Sequence, residues 1–116
     1  MKVILVVDDL DVNLDILCLL IKREIKDVYL VRANSVDLAV RKYKELNNSN
    51  YTVDLVIADV HMPILTGVDL YNALYGLTYR GKFCFLTADD TFKHEHAPVF
   101  YKPLCHGLVG KILWLL

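Results

Sequence analysis

Short, nearly continuous apolar runs recur along the chain at Val3–Val7, Val28–Val31, Val53–Ala58, Lys82–Leu86 and Val99–Tyr101, most of them rich in Val, Ile or aromatic residues. The pattern predicts five strands. Three of the runs lack polar alternation, so they need cover on both faces, which is the situation of strands in a parallel sheet sandwiched between helices. Between the runs the apolar spacing turns helical. Leu14, Leu17, Ile21 and Ile25 trace one stripe after a cap at Asn13 or Asp11, and Ser35 can cap a second helix running towards Asn47 and Asn48. A third helix follows Gly67, with Val68, Tyr71, Leu74 and Tyr75 on one side, and the stretch from about Cys105 to Leu116 reads as a fifth, strongly apolar helix. The polar run Asn47–Asn50 reads as a surface loop before the third strand.

Strands alternating with helices in this order give a chain of βα units with right-handed crossovers and an open, doubly wound sheet. With 116 residues, of which five are Gly and three Pro, residues 1–116 are expected to form one domain around a single sheet. One connection is tight. Only fourteen residues separate Thr87 from Lys102, and the last of them belong to the fifth strand. A parallel crossover needs about 10–12 residues including its helix, so the fourth helix is expected to be short or missing.

Charge and cysteine usage narrow the partners. A net charge of −1 gives no electrostatic reason to expect a nucleic-acid or membrane-surface partner, because affinity for phosphates needs clustered Lys and Arg. The opening MKVILVVDDL reaches two acidic residues too soon for a signal peptide or a membrane span. Cys18, Cys84 and Cys105 are odd in number and form no C-x-x-C pair, which argues against a disulfide framework and for a reducing, cytoplasmic setting.

In open parallel sheets the functional crevice lies at the carboxyl ends of the strands. Strand one ends in Asp8 and Asp9, strand three in Asp59, strand four in Thr87 and strand five in Lys102. Three carboxylates collected at one rim repel unless a hard cation neutralises them through oxygen ligands, and Mg²⁺ suits such a site. Mg²⁺ commonly shares its remaining positions with phosphate oxygens, which points to phosphoryl chemistry with Thr87 donating to a phosphoryl oxygen and Lys102 as a point charge. Taken singly these residues mean little: an Asp pair after a strand is most often a turn or cap, and a Thr at a strand end is most often a β-former.

Together they resemble the receiver domain of two-component response regulators. VVDDLDVNLDIL resembles the opening strand, acidic pair and first helix of that family; DLVIADVHMP resembles its phosphoacceptor strand and following turn; Gly67, FLTA and YKP resemble its loop glycine, its Thr/Ser strand and its Lys-Pro strand end. The resemblance implies a flavodoxin-like five-stranded sheet in the order 2-1-3-4-5. It implies that Asp59 accepts a phosphoryl group from a phosphohistidine on a histidine kinase or histidine phosphotransfer protein. Asp9, Asp59 and the His61 carbonyl would hold Mg²⁺ with help from Asp8, and Thr87 and Lys102 would grip the phosphoryl group. Such a domain assists its own phosphorylation and dephosphorylation without being an enzyme in the usual sense. His61 and Asp89 fall where the family places residues that flank the phosphoryl group, and the Lys102–Pro103 bond falls where its peptide is usually cis.

The chain also departs from the family pattern. A full fourth helix is usual there, and the aromatic switch position three residues before the Lys is Val99, followed by Phe100 and Tyr101. Both departures imply output through a different face or a remodelled one. The apolar tail Ile112–Leu116 is expected to pack deeply rather than to form a partner groove. His94, His96, Cys105 and His106 match no standard zinc spacing and are read as surface residues. The alternative functions are a receiver-like interaction scaffold without phosphoryl turnover and a small Mg²⁺-dependent hydrolase, for which 116 residues leave little room to build a pocket and lid.

Overall fold

The computed structural model describes residues 1–116. Its elements run β1 (Lys2–Val7), α1 (Asp11–Glu24), β2 (Val28–Ala33), α2 (Val36–Asn48), β3 (Leu55–Ala58), α3 (Gly67–Gly76), β4 (Lys82–Thr87), β5 (Val99–Tyr101) and α4 (His106–Leu113). All strand pairs are parallel, in the order β2-β1-β3-β4-β5, which is the flavodoxin-like arrangement expected from the sequence.

Strand alternation divides the interior in two. Val3, Leu5 and Val7 of β1 face one core with Tyr43 of α2, Leu70 and Leu74 of α3, and Phe83 and Phe85 of β4. Ile4 and Val6 face the other, with Leu14, Leu17 and Ile21 of α1 and Val109 and Ile112 of α4. Cover on both sides explains why β1, β3 and β4 are almost wholly buried and read as unbroken apolar runs. β2 and β5 lie at the sheet edges and are only half-buried.

The helix ends differ from the sequence reading in instructive ways. Leu10 is the N-cap of α1 and offers no side-chain bond; Asp11 and Asn13 lie inside the first turn, and the Asp8 carboxylate takes the Leu10 N–H at 2.9 Å instead. Ser35 does cap α2, accepting from Leu38 N–H at 3.2 Å. α2 runs through Asn47 and Asn48, so the polar loop is shorter than expected, and Asn50 turns the chain with φ 64°. The third strand starts at Leu55 rather than Val53, because the Asp54 side chain takes the Val3 N–H that a ladder partner would otherwise receive. On α3 the fully buried residues are Leu70 and Leu74, while Tyr71 is half-buried and Tyr75 is exposed.

Residues 88–98 carry no helix, so the last helix is the fourth in the chain, not a fifth. That helix buries Val109 and Ile112 completely, while Trp114 just beyond it is 88% exposed, so the apolar tail packs inward only in part. Truncation separates the two environments. Ile112→Ala should destabilise the fold by about 2–5 kcal/mol through a core cavity, and Trp114→Ala should stay within about 0.5 kcal/mol, both read from urea unfolding midpoints.

Candidate functional site

The sheet register builds the site. Val7 pairs with both Ala33 and Ala58, so β1 and β3 end side by side, and the ladder continues one step further through Asp8 N–H to Ala33 O and Asp59 N–H to Val7 O. Asp8 and Asp59 are thereby fixed as neighbours at the carboxyl edge. β5 ends level with β4, and Lys102 N–H donates to Thr87 O at 2.8 Å, which starts the lysine side chain from the same edge.

Lys102 Nζ reaches back across two strands to Asp8 Oδ2 at 3.0 Å and Asp59 Oδ2 at 3.2 Å. The three side chains are only 8%, 13% and 17% exposed for Asp8, Asp59 and Lys102 respectively, so this triad is poorly screened by water. Asp8 is held further by Leu10 N–H and by the Asn13 amide at 3.3–3.4 Å, and Asp59 Oδ1 accepts from Val60 N–H at 2.7 Å. By sequence Asn13 is one of two candidate caps of α1, with Asp11. Its actual role follows from the first turn of α1 lying over the Asp8 carboxylate.

Gly67 opens α3 directly behind the acceptor strand. A β-carbon there would overlap the Asp59 carbonyl oxygen, and Gly67 N–H donates to Val60 O at 2.9 Å, so only glycine lets the helix start this close. The intervening loop passes Ile64, a β-branched residue at φ 72° and almost fully exposed. Thr66 and Asp69 then form a capping box for α3. On the far side, His61 Nε2 meets Asp89 Oδ2 at 2.8 Å, and Asp89 N–H donates to Thr87 Oγ1 at 3.1 Å. Thr87 therefore lies buried beside the site with its hydroxyl accepting one bond, which leaves its O–H free to donate. The Lys102–Pro103 peptide bond is cis.

The electrostatics follow from this crowding. Burial pushes the Asp59 carboxyl above the usual aspartate range; Lys102 opposes that shift and the neighbouring Asp8 charge adds to it. Burial works against the Lys102 charge, but hydrogen bonds and attraction from Asp8 and Asp59 outweigh it and raise the lysine. Asp89 is held down to about 2 by its Thr91 side-chain bond first and by His61 second.

Asp8, Asp9 and Asp59 each offer a carboxylate oxygen, and these oxygens all lie within 4.8 Å of one another. Hard oxygen donors with a net excess of negative charge fit Mg²⁺ better than any thiophilic metal. The other residues considered as ligands are placed elsewhere. The His94 ring stacks among Tyr71, Phe85 and Phe92, and His106 faces Arg23 and Glu24 beside α1. Cys18 and Cys84 are buried free thiols and Cys105 is an exposed one. No helix is long and apolar enough to cross a membrane.

A pH test follows from Asp59. A carboxyl whose pKa is raised on folding keeps its proton longer when folded, so without a divalent cation stability should fall as pH rises from about 3.9, the unfolded value, through the raised one. Asp59→Asn removes that contribution, and its unfolding midpoint at pH 7 in chelator should exceed the wild type's.

No curated protein sequence matches the chain, whereas solved structures match it over nearly its full length. Chemotaxis response regulator CheY4 of Vibrio cholerae aligns with TM-score 0.83 at 20% identity, covering 100% of this chain and 99% of that one. Response regulator TrrA of Thermotoga maritima in complex with Mg²⁺-BeF aligns with TM-score 0.74 at 27% identity, covering 100% of both chains. A second structure, of histidine kinase ThkA in complex with TrrA, gives 0.79 at 25% identity and covers 100% of this chain and 99% of that one. The model of the response regulator receiver domain matches residues 4–101, from the second residue after the start of β1 to the end of β5. That span contains both the doubly wound sheet and the acidic edge, and the chain belongs to the response regulator receiver domain family.

Proposed function

We propose that residues 1–116 act as one cytoplasmic receiver unit in which Asp59 accepts a phosphoryl group from a phosphohistidine on a histidine kinase or histidine phosphotransfer protein. The carrying observation is the Lys102 ammonium bonded to Asp59 at 3.2 Å and Asp8 at 3.0 Å on a sheet edge that also holds Asp9. Asp8, Asp9, Asp59 and the His61 carbonyl would hold Mg²⁺, which supplies charge stabilisation to an in-line transfer when bound.

The chain's own groups do the rest. Val60 N–H holds one Asp59 oxygen at 2.7 Å, so the carboxylate is fixed in orientation before the donor arrives. An Asp59 oxygen forms the new P–O bond as the P–N bond to the donor imidazole breaks, and the electron pair of that bond stays on the imidazole nitrogen. Lys102, already within bonding distance of Asp59, stands ready to follow the charge onto the phosphoryl oxygens, and the free O–H of Thr87 supplies a further donor. Asp8 keeps Lys102 anchored while its partner carboxylate is consumed.

Intact mass after incubation with Mg²⁺ and acetyl phosphate tests this. The wild type should gain one phosphoryl group and Asp59→Asn none, and Lys102→Ala should slow the gain by about 10²–10³-fold, the usual loss for one charge-stabilising group. A folded, Mg²⁺-binding protein that gains nothing from acetyl phosphate or from a phosphohistidine donor would instead be an interaction scaffold.

A further inference from the structure

Residues 88–98 must cover the β4 end of the sheet without a helix, and one imidazole organises them. His94 places its ring against Tyr71 of α3 at 4.6 Å between centroids, Phe85 of β4 at 4.9 Å and Phe92 of its own segment at 6.5 Å. Its Nδ1 atom accepts two main-chain N–H groups, from His96 at 3.2 Å and Ala97 at 3.0 Å. Ala97 is buried, and the chain passes straight on through Pro98, whose carbonyl accepts from Phe85 N–H at 3.0 Å, into β5. The His94 bonds thus close the turn that delivers the chain to its last strand. Elsewhere the segment is held by side-chain bonds of Asp89 and Thr91 near its start, by the Tyr101 hydroxyl, which donates to Phe92 O at 2.7 Å, and by the Phe92 ring packed on Phe85 at 5.2 Å.

A nitrogen that accepts two N–H bonds carries no proton, so this geometry requires the neutral tautomer with the proton on Nε2. We infer that His94 is a proton-sensitive positioning residue: neutral, it clamps residues 88–98 onto α3 and β4, and protonated, it releases them. A proton on Nδ1 would face two donors at 3.0–3.2 Å and leave both backbone groups without an acceptor.

The surroundings set the direction of the titration. α3 presents Tyr71 and β4 presents only Phe85, neither charged at neutral pH; the segment itself adds His96, with ring centroid 6.2 Å away, and Glu95. Burial lowers the His94 pKa, His96 lowers it further and Glu95 opposes them. The unfolded chain therefore binds this proton more readily than the folded one. The stabilisation that His94 provides is complete above about 6.5, the unfolded value, and is lost as pH falls from there through the lowered folded value. Phosphoryl transfer plays no part in this device, and its test reads the segment alone.

Residue-resolved NMR from pH 7.5 down through the imidazole range decides it. In the wild type the His94 ring carbons and the Ala97 amide should share one midpoint below about 6.5, and the Phe92 and Ala97 amides should lose protection from hydrogen exchange through the same midpoint. His96→Gln, which removes the neighbouring imidazole, should keep the shared midpoint and move it upward. His94→Phe, which keeps an aromatic ring but no acceptor, should abolish the pH dependence of Ala97. A wild-type His94 ring that titrates at or above the ordinary value, or a wild-type Ala97 amide indifferent to it, overturns the inference even if neither variant folds.

Discussion

Two carboxylates facing one ammonium at the end of a parallel sheet is the arrangement on which the rest of this molecule depends. Asp8 and Asp59 are adjacent because β1 and β3 are adjacent and in register, and their carboxylates, with oxygens within 4.8 Å of each other, repel in the poorly screened edge of the sheet. Lys102 offsets that repulsion, and it does so from the last strand, so the site exists only when β1, β3 and β5 are all in place. Folding and site formation are one event. Burial still holds the Asp59 carboxyl above its usual range against the pull of Lys102, and the three carboxylates of Asp8, Asp9 and Asp59, with oxygens within 4.8 Å of one another, outnumber the one ammonium.

The supporting parts make sense against that requirement. Two apolar cores clamp β1, β3 and β4 so that their ends do not drift. Gly67 lets α3 begin against the Asp59 backbone, and Asn13 brings α1 onto Asp8. Asp89 links His61 on one side of the site to Thr87 on the other, so the loops after β3 and β4 are tied together above the strand ends.

Much of this was legible in the sequence, because burial on both faces writes β1, β3 and β4 as apolar runs, and each run stops at the residue that matters: Asp8, Asp59, Thr87. Lys102 could be placed for the same reason. What could not be read depended on side chains turning towards residues distant in sequence. Asn13 looks like a cap until α1 is laid over Asp8, and the His61–Asp89 pair joins two loops 28 positions apart. The spacing between Thr87 and Lys102 implies a fourth helix that is short or missing, but not that an aromatic group of Tyr71, Phe85, Phe92 and His94 stands in for it. This side of the receiver presents a pinned loop rather than a helix.

The most direct test of the phosphoacceptor assignment is chemical location of the modified residue. After transfer from a phosphohistidine donor in Mg²⁺, borohydride reduction converts an aspartyl phosphate to homoserine, and peptide mass spectrometry finds where. Homoserine at position 59 alone is the expected result. Phosphate on a histidine such as His61, or reduction at Asp8 or Asp9 with Asp59 intact, would contradict the role given to the Asp8–Lys102–Asp59 triad.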